Sequence, residues 1–438
     1  METPICDFVR KYTQSGTIRL HMPGHKGVGP LGFEHLDITE ITGADSLYEA
    51  EGIVAQSESN ASSLFQCPTF YSTEGSSQCI RAMLHLVTRC NRKIAAGRNA
   101  HKAFLSAAAL LDLEVDWLYP ENNGSYLSCN ISEKILEQYL SSCAELPAAV
   151  YITSPDYLGN MLDIAAIAAV CHRYSVLLLV DNAHGAYLKF LPGSMHPMDQ
   201  GADLCCDSAH KTLPVLTGGA YLHIRDGNIA KDAKAALSLF GSTSPSYLIL
   251  QSLDAANAIL SDPAYIKNLG HLCLLTSDLR QRIQSYGIPT DLGSEPLKIT
   301  LSPKAHGYTG TETADYLRKH GIECEFADPD FLVLMVSPSI TEEDLKRLAY
   351  LLIALPRRDA IVSDPPALCQ PTKTLTIRNA MFSLSETIHA TESNGRILAS
   401  PSVGCPPAVP IVVCGETIDE CAIACFEYYG ITSVSVIK

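Results

Sequence analysis

Short apolar runs rich in β-branched residues alternate with alanine-rich stretches from about residue 56 to residue 224, and this alternation constrains the fold most. One full alternation of strand, helix and strand can be placed on the sequence. Residues Ala148 to Thr153 and Val176 to Val180 have the composition of buried strands, and Ile164 to Tyr174 has helical spacing. A strand, a helix and a strand in this order form a βαβ unit. The sequence therefore predicts an α/β fold with a mainly parallel, doubly wound sheet.

Composition shifts divide the chain into four predicted segments. Residues 1–55 contain a Gly- and Pro-rich stretch, His21 to Gly27, that suits neither a regular helix nor a central strand, so we expect an N-terminal arm. Residues 56–265 form the predicted large domain. A smaller α/β C-terminal lobe is predicted over residues 266–358, and a C-terminal domain over residues 359–438, which carries Asp364-Pro365-Pro366 near its start. Within the lobe we expect a strand, a helix and a strand at residues 297–301, 311–320 and 331–337.

Charge and composition disfavour several classes of function. The net charge of −15 argues against nucleic acid, which requires clustered Lys and Arg. The longest apolar run near the middle, Val176 to Val180, is far shorter than the roughly 20 residues of a membrane helix. Residues Met1 to Arg10 do not have the pattern of a secretory signal. We therefore expect a cytoplasmic protein without a membrane or nucleic-acid partner.

The 16 cysteines are spread through the chain without a Cys-x-x-Cys pair. In a large chain that we expect in the cytoplasm, this pattern favours reduced thiols over disulfides. The closest spacings are adjacent Cys205 and Cys206, and Cys421 with Cys425, which give little support for zinc. We predict no metal site.

Two polar segments directly follow predicted strands. Asp181, in Asp181-Asn182-Ala183-His184-Gly185, comes after the apolar run that ends at Val180. Burying an acid there is costly unless a cation or a hydrogen-bond donor pairs with it. Lys211, in Ser208-Ala209-His210-Lys211-Thr212, follows the predicted strand 202–206, and a partly desolvated lysine can attack an aldehyde. Because ligands bind at the carboxyl ends of the strands in such sheets, both segments should face one crevice.

Two further segments carry weaker signals. Ser72-Thr73-Glu74-Gly75-Ser76-Ser77 precedes the predicted helix 78–87 and offers hydroxyl and N–H groups to a phosphate, although Ser and Thr also cap ordinary helices. His101, in Arg98-Asn99-Ala100-His101-Lys102, follows a predicted strand at 93–96. Its imidazole can stack on a flat heteroaromatic ring or lie in a basic surface turn. From the residues alone both segments remain open.

Taken in order, these motifs resemble those of the bacterial ornithine/lysine/arginine decarboxylase family, which has the fold type I of pyridoxal 5'-phosphate (PLP) enzymes. The His-x-Pro-Gly-His-Lys arm at residues 21–26 and the Ser-x-His-Lys motif at residues 208–211 are specific to that family. The chain is most similar to the short, arginine-decarboxylase-like form without an N-terminal wing domain. Further matching stretches are Asp37 to Glu40, Ser72 to Gly75, Arg98 to Lys102, Ser154 to Tyr157, Asp181 to Gly185, Ser242 to Tyr247, Pro296 to Lys298, Gly395 to Ile397, and Gly415-Glu416.

This resemblance implies a PLP-dependent transferase-like fold and a set of site residues. It implies that Lys211 binds the PLP aldehyde, that Asp181 pairs with the pyridinium nitrogen, and that His101 stacks on the ring. It also implies a homodimer with the active site at the interface, in which Thr243 reaches the phosphate of the neighbouring subunit. The other implied cofactor-binding residues are Ser72, Thr73, Gly75, Ser208 and His210 near the phosphate, and Ala183 and His184 near the ring.

The implied reaction is decarboxylation of arginine, lysine or ornithine to the corresponding amine, as in polyamine biosynthesis. Asp45, Glu49 and Glu416 are candidate acids for the distal cation of the substrate, and the sequence does not separate them. Two alternatives stay open, because a fold does not fix a reaction. One is another PLP reaction, such as that of an aminotransferase or a lyase. The other is a catalytically silent regulatory homologue, suggested by Tyr71 and Ser76, which depart from the family's usual phosphate loop.

Overall fold

The computed structural model describes residues 1–120, 125–290, 293–405 and 409–438. The chain forms two compact units. The first unit comprises Met1–Asn91 and Leu177–Lys267, and the second unit comprises Arg92–Val176 and Asn268–Lys438. The four-segment domain division made from the sequence stays a prediction.

The α-helices are numbered in chain order. They are α1 (Pro4–Gln14), α2 (Ile53–Phe65), α3 (Ser76–Val87), α4 (Lys102–Leu111), α5 (Glu133–Ser142), α6 (Ile164–Arg173), α7 (Ala209–Thr212), α8 (Gly227–Ala230), α9 (Ala233–Ser238), α10 (Tyr247–Leu260), α11 (Pro263–Ser285), α12 (Gly310–Lys319), α13 (Glu342–Ala354), α14 (Ile377–Met381) and α15 (Glu420–Tyr428). Short 3₁₀ helices cover Glu34–Leu36, Ala186–Phe190, Pro303–His306 and Ala390–Glu392. In the part of the chain that the structure describes, none of the helices combines the length and the hydropathy needed to cross a membrane.

The strands are numbered in the same way. They are β1 (Thr69–Ser72), β2 (Lys93–Gly97), β3 (Glu114–Leu118), β4 (Ala149–Thr153), β5 (Leu177–Asp181), β6 (Leu204–Asp207), β7 (Ala220–Ile224), β8 (Lys298–Leu301), β9 (Phe326–Ala327), β10 (Leu332–Met335), β11 (Ser385–His389), β12 (Ser402–Cys405), β13 (Val409–Val413) and β14 (Ser433–Ile437). The strand, helix and strand predicted at residues 148–153, 164–174 and 176–180 are present as β4, α6 and β5.

In the first unit the strand order is β1-β7-β6-β5. β5 and β6 are parallel, with Asp181 opposite Cys206, whereas β7 runs antiparallel to both β6 and β1. Parallel neighbours have their carboxyl ends at the same sheet edge, so Asp181 and Asp207, the last residues of β5 and β6, lie side by side there. The antiparallel β7 was not predicted from the sequence.

In the second unit β4-β2-β3 form a parallel set, and β8-β10-β9 form a separate antiparallel sheet. The strand, helix and strand predicted for the smaller lobe are present as β8, α12 and β10. An apolar core fills the C-terminal part of this unit, where α15 packs on β13 and β14 contributes Val434. Its other members include Ile411, Ile418 and Phe426. The parallel pairs and the flanking helices confirm the predicted α/β class.

One cysteine pair contradicts the expectation of reduced thiols. Cys369 and Cys421 form a disulfide, with Cα atoms 5.9 Å apart, across 52 residues of sequence. Cys369 lies in the irregular segment after α13, and Cys421 lies in the first turn of α15, so the bond fastens that segment to the helix. The prediction of reduced thiols was wrong for this pair. The cellular compartment bears on all cysteines alike and does not identify a single pair that the fold brings together.

Candidate active site

Lys211 lies in α7, a one-turn helix that begins where β6 ends. His210 fixes the turn, because both its backbone N–H and its Nδ1 lie within hydrogen-bonding distance of the carbonyl oxygen of Gly219, at 3.2 and 3.0 Å. Lys211 Nζ lies 2.9 Å from His184 Nε2. His184 is buried and Lys211 is half-buried. The amine is therefore partly shielded from water and has an imidazole at hydrogen-bonding distance.

Asp181 ends β5 with a side chain that is only 2% exposed. Its Oδ1 accepts a hydrogen bond from the backbone N–H of Ala183 at 3.1 Å, and the thiol of Cys206 lies 3.7 Å away. The Ala183 bond closes the turn that carries His184, so one acid both lies at the strand end and shapes the neighbouring turn. A buried carboxylate in this place is a strong site for a positively charged group.

The predicted phosphate segment forms the tight turn between β1 and α3. The hydroxyl of Ser72 accepts a hydrogen bond from Glu74 N–H at 3.1 Å, and Ser208 Oγ donates to Ser76 Oγ at 2.7 Å. Gly75 has a φ of +72°, and a Cβ added there would meet no heavy atom within 4 Å. The turn at the start of α3 therefore borders open space and presents hydroxyl groups from two segments. Thr73 is buried in the same turn, whereas Glu74 is exposed.

His101 lies in the second unit as the N-cap residue of α4. Its Nδ1 accepts a hydrogen bond from Ala103 N–H at 3.1 Å, which assigns the proton of the neutral ring to Nε2. Three residues earlier, Arg98 makes a bidentate, buried ion pair with Glu416, with N···O distances of 2.6 and 2.7 Å. The Arg98 guanidinium also packs 5.2 Å from the ring centre of Trp117. The basic segment is thus part of the fold of this unit and is not a surface turn.

The three acids proposed for the distal cation of the substrate differ in their surroundings. Glu416 is engaged by Arg98, so its charge is already compensated. The carboxylate of Asp45 accepts N–H groups at the start of α2, including those of Gly52 and Val54 at 2.8 and 2.9 Å. Glu49 is exposed. Thr243, the residue expected to reach a second subunit, is also exposed, in the loop before α10.

A buried cluster next to Lys211 was not predicted from the sequence. Asp207, the last residue of β6, accepts hydrogen bonds from His196, His223 and Asn182, and all four side chains are fully buried. The residues are spread over four separate segments, so no spacing in the sequence indicates that they meet. Asn182 and the segment around Lys211 were recognised as polar residues that follow predicted strands. The position of Asn182 next to Asp181 was the only sequence feature that pointed towards this cluster.

The polar groups of the first unit fit PLP by their chemistry. An amine with an imidazole partner suits an aldehyde, a buried acid suits a protonated ring nitrogen, and the open turn at the start of α3 suits a phosphate. Asp181, Lys211, Ser208 and the turn around Gly75 all belong to this one unit. The sequence-predicted residues that lie in it are therefore brought to one edge of the sheet, whereas His101 belongs to the second unit.

The fold is that of fold type I PLP enzymes. The chain superposes on the lysine decarboxylase LdcF of Francisella novicida with a TM-score of 0.84 at 17% identity, covering 100% of this chain and 81% of that one. A structure of SPT with PLP also matches, with a TM-score of 0.57 at 11% identity over 71% of this chain and 79% of that chain. At such identities these matches establish the architecture and no more.

Sequence similarity then establishes the family. The family model for Orn/Lys/Arg decarboxylase, major domain, matches residues 3–292. The arginine decarboxylase of Bacillus subtilis (strain 168) is 30% identical over 459 aligned residues, covering 96% of this chain and 92% of that protein. The chain belongs to the Orn/Lys/Arg decarboxylase family.

Proposed function

We propose that this chain is a PLP-dependent decarboxylase that converts a basic L-amino acid to the corresponding amine, with L-arginine as the first substrate to test. The observation that carries the proposal is membership of the Orn/Lys/Arg decarboxylase family over most of the chain. L-Arginine comes first because the protein that matches 96% of this chain at 30% identity is an arginine decarboxylase. Lysine and ornithine are the next substrates to compare.

Lys211 is proposed to bind the cofactor aldehyde. Its half-buried amine, 2.9 Å from His184 Nε2, supports this role because partial burial disfavours the charged form of an amine and the imidazole is close enough to exchange a proton with it. When bound, PLP supplies an electron sink for the bonding pair left on Cα as carbon dioxide departs. His184 Nε2 is proposed to exchange a proton with Lys211 Nζ, and Lys211 Nζ is proposed to deliver a proton to Cα.

Asp181 is proposed to hold a proton on the ring nitrogen, and His101 to stack on the ring. The burial of Asp181 supports its role, because the attraction between opposite charges is stronger where water is excluded. Ala183 lies in the turn closed by Asp181 and is proposed to contact the ring from there. For His101 the support is the family motif and the helix N-cap that fixes its ring.

The phosphate is proposed to lie at the start of α3, held by Ser72, Thr73, Gly75, Ser208 and His210. The Ser208–Ser76 hydrogen bond supports this arrangement because it brings the segment that carries Lys211 up to the helix start. Backbone N–H groups at a helix start favour an anion. The exposure of Glu74 also agrees with it, because the negative charge of that side chain then stays in water.

A homodimer with the active site at the subunit interface is proposed as the working form. The N-terminal arm supports it, because Ile18, Leu20, Val28 and Leu31 are each at least two-thirds exposed. Several exposed apolar side chains within one short segment are typical of a surface that another protein covers. A second copy of this chain is the proposed occupant, and exposed Thr243 is the residue proposed to reach its phosphate. A cytoplasmic location and a role in polyamine biosynthesis are proposed from the family resemblance.

The proposal is tested by incubating the purified full-length protein and PLP separately with L-arginine, L-lysine and L-ornithine, and analysing the products by mass spectrometry. The proposal predicts an amine from one of the three. A keto acid in place of the amine would indicate an aminotransferase. No product from any of them, with PLP attached to Lys211, would contradict the proposal and favour a regulatory homologue.

A further inference from the structure

We propose that Asp207 is a positioning residue for Lys211, acting through a buried hydrogen-bond network that connects the turns carrying Lys211 and His184. This inference rests on the proposed function, since it concerns the same lysine. It adds a residue outside the cofactor-binding set, and it makes a prediction about the chemistry of the lysine that does not depend on substrate turnover.

The network has one carboxylate at its centre. Asp207 Oδ2 accepts hydrogen bonds from His196 Nε2 at 3.0 Å and from His223 Nε2 at 3.1 Å, and Oδ1 accepts one from Asn182 Nδ2 at 2.6 Å. His196 Nδ1 accepts the backbone N–H of Met198 at 3.3 Å, which places the proton of that ring on Nε2. Three N–H groups from three other segments therefore converge on one side chain.

The charge state of Asp207 follows from these partners. Burial alone would raise its pKa, but attraction to His196 and His223 outweighs burial and holds the pKa well below its usual range. Asp207 is therefore ionised, and it accepts charge-assisted hydrogen bonds inside the protein. Such a bond is stronger than one between neutral groups, and a buried network loses most when its central charge is removed. Phe65 packs against both imidazoles, with ring centres 4.4 Å from His223 and 5.6 Å from His196, and so fixes the donors.

The two residues joined by the Asp207–Asn182 hydrogen bond are each adjacent in sequence to a turn of the active site. Asp207 directly precedes Ser208 and the turn that ends at Lys211. Asn182 directly follows Asp181, and its carbonyl oxygen accepts the N–H of Gly185 at 2.8 Å, closing the turn that carries His184. The Asp207–Asn182 hydrogen bond thus joins the two turns whose side chains meet 2.9 Å apart at Lys211 Nζ and His184 Nε2. Removing the charge should let these turns shift, and a misplacement of about 1 Å can slow a reaction by about 100-fold.

The experiment compares Asp207→Asn with Asp254→Asn. Asp254 is a second fully buried carboxylate of the first unit, and it accepts bonds from Ile5 N, Cys6 N and Ser57 Oγ at 3.0, 3.0 and 2.6 Å. Both substitutions keep the side-chain shape and remove a buried charge, but only Asp207 lies between the two turns. Full-length protein freed of cofactor is mixed with PLP for increasing times and reduced with borohydride. Mass spectrometry of peptides then gives the rate of adduct formation at Lys211.

The expected result is adduct formation about 10- to 100-fold slower in Asp207→Asn and within about twofold of wild type in Asp254→Asn. Thermal melting, recorded alongside, should fall for both, because each loses a buried charged acceptor. An Asp207→Asn rate within about twofold of wild type would overturn the inference even if amine formation is observed. A wild-type protein that forms no adduct at Lys211 would overturn the proposed function together with the inference.

A second pair of variants decides the matter if Asp207→Asn does not fold. In His223→Gln the amide Nε2 can still donate to Asp207, whereas His223→Leu removes the donor at similar volume. Adduct formation close to the wild-type rate in His223→Gln, with slower formation in His223→Leu, supports positioning through the hydrogen bond. Equal rates in the two variants would overturn it, because the donor would then be irrelevant to Lys211.

Discussion

Replacing Glu416 with glutamine should destabilise the second unit strongly, because it leaves the charge of Arg98 buried without a counterion. The side chains of Arg98 and Glu416 are 8% and 4% exposed, and two short hydrogen bonds join them. Glu416 Oε2 also accepts the N–H of Val413 at 2.8 Å. Breaking a buried ion pair by removing one partner costs about 3–5 kcal/mol. Replacing both residues of a buried ion pair by apolar residues often changes stability little. The loss expected for Glu416→Gln therefore comes from the Arg98 charge that is left buried without a partner.

The assay uses the single tryptophan of the chain. Trp117 lies 5.2 Å from the Arg98 guanidinium, so its fluorescence reports on the surroundings of this ion pair during urea unfolding. With a urea dependence of about 2 kcal/mol/M, a loss of 3–5 kcal/mol lowers the midpoint of the Trp117 transition by about 1.5–2.5 M. In wild type, burial lowers the pKa of Arg98 and Glu416 raises it, with a net rise. Arg98 keeps its charge in the variant too, because a guanidinium group is effectively always protonated in proteins.

The control is Glu323→Gln, which removes the exposed partner of the Arg318–Glu323 pair. An exposed pair is screened by water, so this change should not move the midpoint measurably. A midpoint for Glu416→Gln that coincides with that of the Glu323→Gln control would refute the reasoning. It would mean that Arg98 finds another partner or water when Glu416 loses its charge.

Three further changes test other parts of the fold. Burial raises the pKa of Asp328 from 3.8 to about 6, so the stability it contributes in its protonated form is lost as the pH rises through about 6. The unfolding free energy of wild type relative to Asp328→Asn should therefore fall by about 3 kcal/mol between about pH 4 and pH 7. Cys369→Ser removes a disulfide that closes a 52-residue separation and should cost about 4 kcal/mol by chemical denaturation. Gly415→Ala, at a φ of +92° and with a Cβ only 2.5 Å from Leu375 O, should melt well below Gly395→Ala, which has a φ of +75° and no neighbour within 4 Å.

Each of these three predictions has an outcome that would contradict it. A constant difference between wild type and Asp328→Asn across that pH range would show that the carboxyl has an ordinary pKa. For the disulfide, Cys90→Ser is the control because Cys90 is exposed and unbonded to another cysteine; equal stability of the two serine variants would rule out a constraining bond. Equal melting of the two alanine variants would show that the backbone around Gly415 yields to a side chain.

The elements that carry Asp181 and Lys211 were predictable because their signals are local. The strand predicted at Val176 to Val180 is β5, Leu177–Asp181, and the strand predicted at residues 202–206 is β6, Leu204–Asp207. Buried parallel strands are continuous apolar runs, and a polar residue at the end of such a run is easily recognised. The meeting of both segments at one edge followed from the general rule for ligand sites in α/β sheets.

The interactions that stabilise each unit were not predictable, because they join residues far apart in sequence. The Arg98–Glu416 pair spans 318 positions, and the His223–Thr69 hydrogen bond spans 154. Arg98 and Glu416 each belong to recognised motifs, but nothing in either motif indicates that they pair, and Glu416 was instead considered for the substrate. Antiparallel β7, which carries His223, reads in sequence like any other short apolar strand. Its direction is set by the connections and partners of the finished sheet.

The most direct test of the central claim measures amine formation from L-arginine by wild type and by Lys211→Ala, both as full-length protein with added PLP. Lys231→Ala, at an exposed lysine of the same unit, is the matched control. The account predicts amine from wild type and from the control, and none from Lys211→Ala although that variant still melts cooperatively. Amine formation by Lys211→Ala at the wild-type rate would contradict the account, because it would remove the lysine from the reaction.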